Sequence, residues 1–272
     1  MGVALIVGTL GKAHPIWPNS APLHSTKTAS AKDSRQLDRM KPQKQAETLL
    51  EMAVAHSQGA VEQISSRAGG WNGKVQWNPQ IASLATAALN SNDMRVRESG
   101  VEVELAAYGL SKNSASLEYL FHTLDSSDHS QQIWALWALG LMANRGIEPG
   151  RIVEVLTSHL KDSDEDSRRW AVEGLALTGA DEAIQPLLVT MHDDRSALVR
   201  ERAACSLAES GMFTPQQRMM AVPQLLAYTD DSSLDRQTQS WAFQALGDIT
   251  HQRLPNDAAA WRKWYQASGT SE

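Results

Sequence analysis

A chain of 272 residues, 42% of them hydrophobic, carries enough apolar material for a large core. Its single cysteine, Cys205, excludes an intramolecular disulfide and any zinc cluster built from cysteines. Charge is uneven: residues 1–45 sum to +5 and the remainder to −11, so a basic tail precedes an acidic body, which disfavours nucleic acid as a partner.

Residues 1–36 hold a short apolar run, Val3 to Leu10, and then a mixture of Pro, Ser, Thr, His and Lys without helical period, the composition of a disordered tail. The run is too short to span a bilayer and has no basic residue before it. As it stands the sequence reads as cytoplasmic. With a start further upstream, the run would be the end of a signal or anchor and the protein would sit in the cell envelope, so membrane association rests on this tail alone.

From Pro42, Ala46, Leu49, Leu50, Ala53 and Val54 form one apolar stripe, followed by a shorter segment around Val61 and Ile64; together they predict an irregular N-terminal hairpin over 42–70. The stretch Gly69-Gly70-Trp71-Asn72-Gly73 is expected to break the helix. Asn78-Pro79 opens the next one, with Asn as cap and Pro at the first position.

Over residues 79–250 a unit recurs. First helices carry apolar residues at i, i+3, i+4: Ile81/Leu84/Ala85, Leu117/Leu120/Phe121, Ile152/Val155/Leu156, Ile184/Leu187/Leu188 and Val222/Leu225/Leu226. Second helices align on Leu105, Leu139, Leu175, Leu207 and Leu246, preceded four residues earlier by Val101, Ala135, Ala171, Ala203 and Ala242. Three of them have glycine four residues later, at Gly109, Gly179 and Gly211, where a helix end in the left-handed region favours it. Thr214-Pro215-Gln216-Gln217 reads as a capping box, and Pro223 falls inside the helix it opens. Asp257 caps a last helix over 256–267, whose Trp261, Trp264 and Tyr265 form an aromatic face expected to cover the fifth pair near Trp241 and Leu246.

Spacings of 32 to 38 residues, filled by helix, acidic turn and helix, mark stacked helical pairs. The stretch DDRSALVRERAACSLAESG, with its Asp, Val199-Arg200, paired alanines, leucine and glycine, resembles a bacterial HEAT repeat of the short form shared with phycobilisome-lyase-like repeats. The resemblance implies an all-α, right-handed α-solenoid of stacked antiparallel helix pairs, with five recognisable repeats between terminal caps. It also implies that Arg97, Arg168 and Arg200 pair with turn aspartates of their own or a neighbouring repeat. The expected organisation is a tail over 1–36 and one solenoid over 37–268.

No phosphate loop, nucleophile elbow or zinc-protease helix is present, and none of the eight histidines precedes a glutamate, as the repeated dyads of HEAT-like deoxyhypusine hydroxylases would require. Asp162, Asp164, Asp166 and Glu173 match a calcium-loop spacing, but Ala171 and Leu175 lie on the core face, so the segment must be helical and cannot wrap an ion. No cofactor, metal or catalytic residue is expected, and the chain reads as a monomeric, non-enzymatic scaffold for a protein partner. The alternative is a chromophore- or small-molecule-handling protein resembling the phycobilin lyases.

A helical wheel locates the candidate surface. Five residues before the reference leucine stand Trp134, Trp170, Arg202 and Trp241, a ladder that either packs at the seam between repeats or stacks on a ligand; seam packing is the better reading. Positions two and six residues before the leucine point away from the core, and only Ile133 and Trp137 put two large apolar residues there. Ile133 and Trp137, with Arg169 and Glu173 as a polar rim and Val103 beside them, are therefore the expected partner-binding residues on the concave face.

Overall fold

The computed structural model describes residues 36–209 and 212–268. The expected tail, apart from Gln36, and the glycine cap at Gly211 fall outside them. All regular structure among the described residues is helical. The sequence reading treats 37–268 as one solenoid; the structure groups the chain into two compact units, Met1–Ile147 and Glu148–Glu272.

The first unit contains α1 (Pro42–Val54), α2 (Ala60–Trp71), α3 (Pro79–Leu89), α4 (Met94–Ala107), α5 (Ser114–Thr123) and α6 (His129–Asn144). Successive helices pair, and α4 also packs against α1, α2 and α6. Leu49, Leu50, Ile64, Trp71 and Ile81 fill the core at its N-terminal side. The expected break falls inside the Gly69–Gly73 stretch, past its first two glycines: α2 runs through Gly69 and Gly70, stops at Trp71, and Gly73 holds a φ of +69° in the turn beyond. Each helical glycine costs about 1 kcal/mol, but the Trp71 ring is 1% exposed and its Nε1 donates to Gln45 Oε1 of α1 at 2.9 Å. Burial of that ring outweighs the glycines.

The second unit contains α7 (Pro149–His159), α8 (Glu165–Thr178), a 3-10 turn (Asp181–Ala183), α9 (Ile184–Asp193), α10 (Ala197–Ala208), α11 (Pro215–Tyr228), α12 (Arg236–Thr250) and α13 (Ala258–Ser268). First helices stack, α9 on α11, and second helices stack, α8 on α10 and α10 on α12. The last helix packs against α11, the first helix of its pair, where the sequence put it near Trp241 and Leu246 of the second. Asp257 caps it through the Ala259 and Ala260 amides, Trp261 is buried, and Tyr265 stays exposed.

Helix ends follow the sequence closely. Asn78, Asp93, Asp128, Asp164, Asp235 and Thr214 each accept a backbone N–H in the first turn of their helix, the last in a full capping box with Gln217. Asp164 is thereby a cap, and Glu165–Thr178 is helix, as the argument against a calcium loop required. Gly109 and Gly179 hold φ values of +72° and +63°, the left-handed geometry that makes glycine the fitting residue there.

Candidate functional site

The turns are joined by one recurring side-chain position, seven residues before the reference leucine. Arg168 donates from Nη1 to the carbonyls of Asp162 and Ser163 in its own turn, and from Nε and Nη2 to both carboxylate oxygens of Asp194 in the next, at 2.7 and 3.1 Å. Arg200 repeats this, with Nη1 on the Asp194 carbonyl and Nη2 on Asp235 Oδ2, each at 2.7 Å. Gln132 and Gln239 stand at the same position and keep a bond to their own turn, to the carbonyls of Leu124 and Asp231 at 3.1 and 2.8 Å. An amide can make this first bond but has no charge for the second. These arginines thus hold repeats together.

The ladder expected at the seam is buried: Trp134 and Trp170 are 8% exposed, Arg202 8% and Trp241 7%. The partner-binding residues expected from the wheel need correction. Val103, Trp137 and Glu173 are 0%, 4% and 2% exposed, so Trp137 is not an exposed anchor. Ile133 and Arg169 are half-buried. The wheel assumes one buried side, whereas second helices here are held on three: α10, for instance, lies against its partner α9 and against α8 and α12. Positions two residues before the leucine are covered in this way in four of five repeats, Gln244 being the exception, while those six before it, nearer the helix start, keep some surface except at Ser99. Glu173 sits 2.8 Å from Arg202 across the α8–α10 seam. Arg169 pairs with Asp166 at 2.9 Å and lies 4.6 Å over the Trp170 ring.

Two charged constellations escaped the sequence reading. In the first unit Glu98 and Glu102, one turn apart on α4, are 3% and 2% exposed and converge on two cations from other segments. Arg145 Nε lies 2.9 Å from Glu102 and its Nη2 bonds Glu98, while Lys112 Nζ lies 2.9 Å from Glu102. Burial pushes the Glu98 carboxyl up to about 7, against the pull of Arg145. Glu104, on the same helix, accepts Trp134 Nε1 at 2.7 Å and is pushed up to about 7 by burial. Tyr108 stacks on Trp77 and meets Trp134 edge-on beside it. A hollow of about 270 Å³ opens next to Glu102 and Lys112, between Gly69, Asn72 and Ser111. The only sequence clue was a run of glutamates on the apolar side of α4.

In the second unit His192, Asp193, Asp231 and Ser233 meet. The grouping has the residue types of a nucleophilic site, but Ser233 Oγ donates to Asp231 Oδ1 at 2.6 Å and stands 3.5 Å from His192 Nε2, whose nearer neighbour is Asp231 at 3.2 Å. A hydroxyl whose proton points at a carboxylate is not activated by the imidazole. Among the described residues no group of three or more His, Cys, Asp or Glu side chains is arranged to hold a metal ion, and no helix is long and apolar enough to cross a membrane.

An open groove with a mixed lining also lies in this unit. It measures about 610 Å³ and runs between α7 and α9, its floor the Arg168–Asp194 pair and its walls Leu160, Pro186 and Val189, with Lys161 and Asp193 at the edge. Val189 is 45% exposed.

No curated protein matches the chain. Among solved structures, an engineered protein is similar at 20% identity and TM-score 0.38, with 76% of this chain and 96% of that one covered. A computationally designed armadillo repeat protein for modular peptide recognition gives 18%, 0.35, 74% and 98%. A designed armadillo repeat protein in complex with the peptide (KR)4 gives 19%, 0.35, 75% and 98%. The family model that matches is that of HEAT repeats, over residues 117–208, a span that holds both the Arg168–Asp194 joint and the groove beside it.

Proposed function

We propose that the chain is a non-enzymatic scaffold that binds a protein partner, and that the groove between α7 and α9 is its docking surface. The observation that carries this is the groove itself: an open trough with an apolar wall and a half-exposed valine, laid over a floor whose charges are already neutralised by each other. Such a floor positions a ligand's backbone or polar groups without a desolvated, unpaired charge beneath them, while Leu160, Pro186 and Val189 receive an apolar side chain. Ile133 on α6 and Arg169 on α8 each keep part of their surface and are candidates for separate contacts, one in each unit.

The test is crosslinking of tagged protein in its source cells, with contact residues read by mass spectrometry, beside a Val189→Arg variant. Crosslinks through Lys161 that disappear in the variant, at unchanged melting temperature, support the groove. A partner captured equally by the variant through other residues would move the site, and a purified protein that carries a coloured or small-molecule ligand would replace the scaffold reading altogether.

A further inference from the structure

The end of α9 and the turn before α12 meet at one imidazole. His192 Nδ1 faces the Asp193 carboxylate, and Nε2 stands 3.2 Å from Asp231 Oδ2. The ring packs on Tyr228, centroids 4.9 Å apart, and the Tyr228 hydroxyl donates to the Leu188 carbonyl of α9 at 3.1 Å. The same turn holds the last helix, because Asp230 bonds Arg262 of α13. Neighbouring charges are engaged elsewhere: Asp194 with Arg168, and Arg195 with the Ser163 carbonyl.

A neutral imidazole has one N–H and one lone pair, so between two carboxylates it would turn a lone pair toward an anion. Imidazolium donates to both. Burial opposes the charged form, but the bonds to Asp193 and Asp231 outweigh it and hold His192 protonated above its ordinary 6.5. On the other side, Asp231 is lowered to about 2 by Ser233 and then by His192.

We propose that His192 is a proton-dependent latch that, when charged, fastens the turn 229–235, and through Asp230 the C-terminal helix, to α9. A histidine with a raised folded-state pKa contributes its full stabilisation below the unfolded value near 6.5 and loses it as pH rises through the folded value. The latch is closed in mild acid and opens on the alkaline side. It needs no bound partner, so its test is separate from that of the scaffold.

The experiment uses the full chain: hydrogen exchange, expressed as protection relative to intrinsic rates, at mildly acidic and mildly alkaline pH, with the His192 ring titrated by NMR. Protection in 229–235 and 258–268 should fall several-fold on the alkaline side while that of α7 and α8 holds. Asp231→Asn keeps an acceptor for the Ser233 amide and hydroxyl but removes the charge, so it should lower the His192 titration and abolish the pH dependence. His192→Gln should leave both segments in the weakly protected state at either pH. The latch is overturned by equal protection on both sides, by wild-type pH dependence in Asp231→Asn, or by His192 titrating below its ordinary range.

Discussion

Helices α4 and α10 hold the same place in the repeat, a second helix gripped by its partner and by neighbouring second helices, yet they handle charge in opposite ways. On α4 three glutamates, Glu98, Glu102 and Glu104, are buried along the middle of the helix and met from elsewhere, the first two by the cations Arg145 and Lys112 and the third by the N–H of the Trp134 indole. Around α10 the bridging carboxylates stand in the turns, where Arg168 of α8 and Arg200 of α10 hold Asp194 and Asp235, and Arg202 of α10 is paired across the seam with Glu173. A helix-pair stack fixes where apolar side chains go but leaves open where its ion pairs sit. The turn pairs span both conditions, Arg168–Asp194 with both side chains 4% exposed and Arg200–Asp235 with its carboxylate 52% exposed, whereas the glutamates in mid-helix all pay their desolvation.

The largest effect should come from the mid-helix cluster. Arg145→Met removes a side chain that bonds both Glu98 and Glu102 and takes the guanidinium from two carboxylates that are 3% and 2% exposed. Loss of one partner from a buried pair typically costs about 3 kcal/mol or more. Urea unfolding should show that loss, and limited proteolysis should place the new cuts in residues 42–147. Unchanged stability would mean that Lys112 alone neutralises the pair, and the contrast between the units would lapse.

A smaller effect of opposite sign follows at Glu104. Its folded-state pKa near 7 exceeds the ordinary 4.5, so the folded form holds its proton longer than the unfolded one. Stability is unaffected by it below about pH 4.5, declines as pH rises toward 7, and carries the whole penalty above that. Glu104→Gln keeps an acceptor for the Trp134 N–H and removes the ionisation, so at pH 8 it should stabilise by up to about 3 kcal/mol, with little change near pH 4.5. Denaturation curves at the two pH values decide it; a variant less stable at pH 8 would show that the carboxylate is favourably solvated.

Sequence carried the helix pairs and their caps, because these rest on local chemistry: Asp164, Thr214 and Gly179 act within a few residues of where they stand, while the arginine joints at the turns, between residues 26 and 35 apart, were legible only through the resemblance to a known repeat. The partner surface was lost because a wheel knows one helix at a time. Trp137 is on the side away from the core of its own pair, and its burial depends on neighbours that periodicity does not place. The Glu98–Arg145 and His192–Asp231 contacts join residues 47 and 39 apart, so only the stacking of repeats brings them together. The glutamines at 132 and 239, which break the arginine pattern in sequence, turn out to preserve its intra-turn half.

That last point gives the gentlest test of the comparison. Arg200→Gln places in the ladder the residue that two sister repeats already use, so the own-turn bond should survive in the form seen at Gln132 and Gln239. What is lost is the contact to Asp235, whose side chain is 52% exposed, and the bond from Nε to Thr238 Oγ1 at 3.0 Å. Asp235 keeps its capping role through the Thr238 amide at 2.9 Å, so α12 should still start in the same place. A solvent-facing pair of this kind is worth about 1 kcal/mol or less, and the loss should shrink further in high salt, which screens exposed charges. Thermal unfolding of Arg200→Gln in low and high salt measures both. If the variant instead loses as much as Arg145→Met and salt makes no difference, the turn ladder carries as much of the fold as the mid-helix cluster does, and ion pairs at the edge of the stack matter as much as those within it.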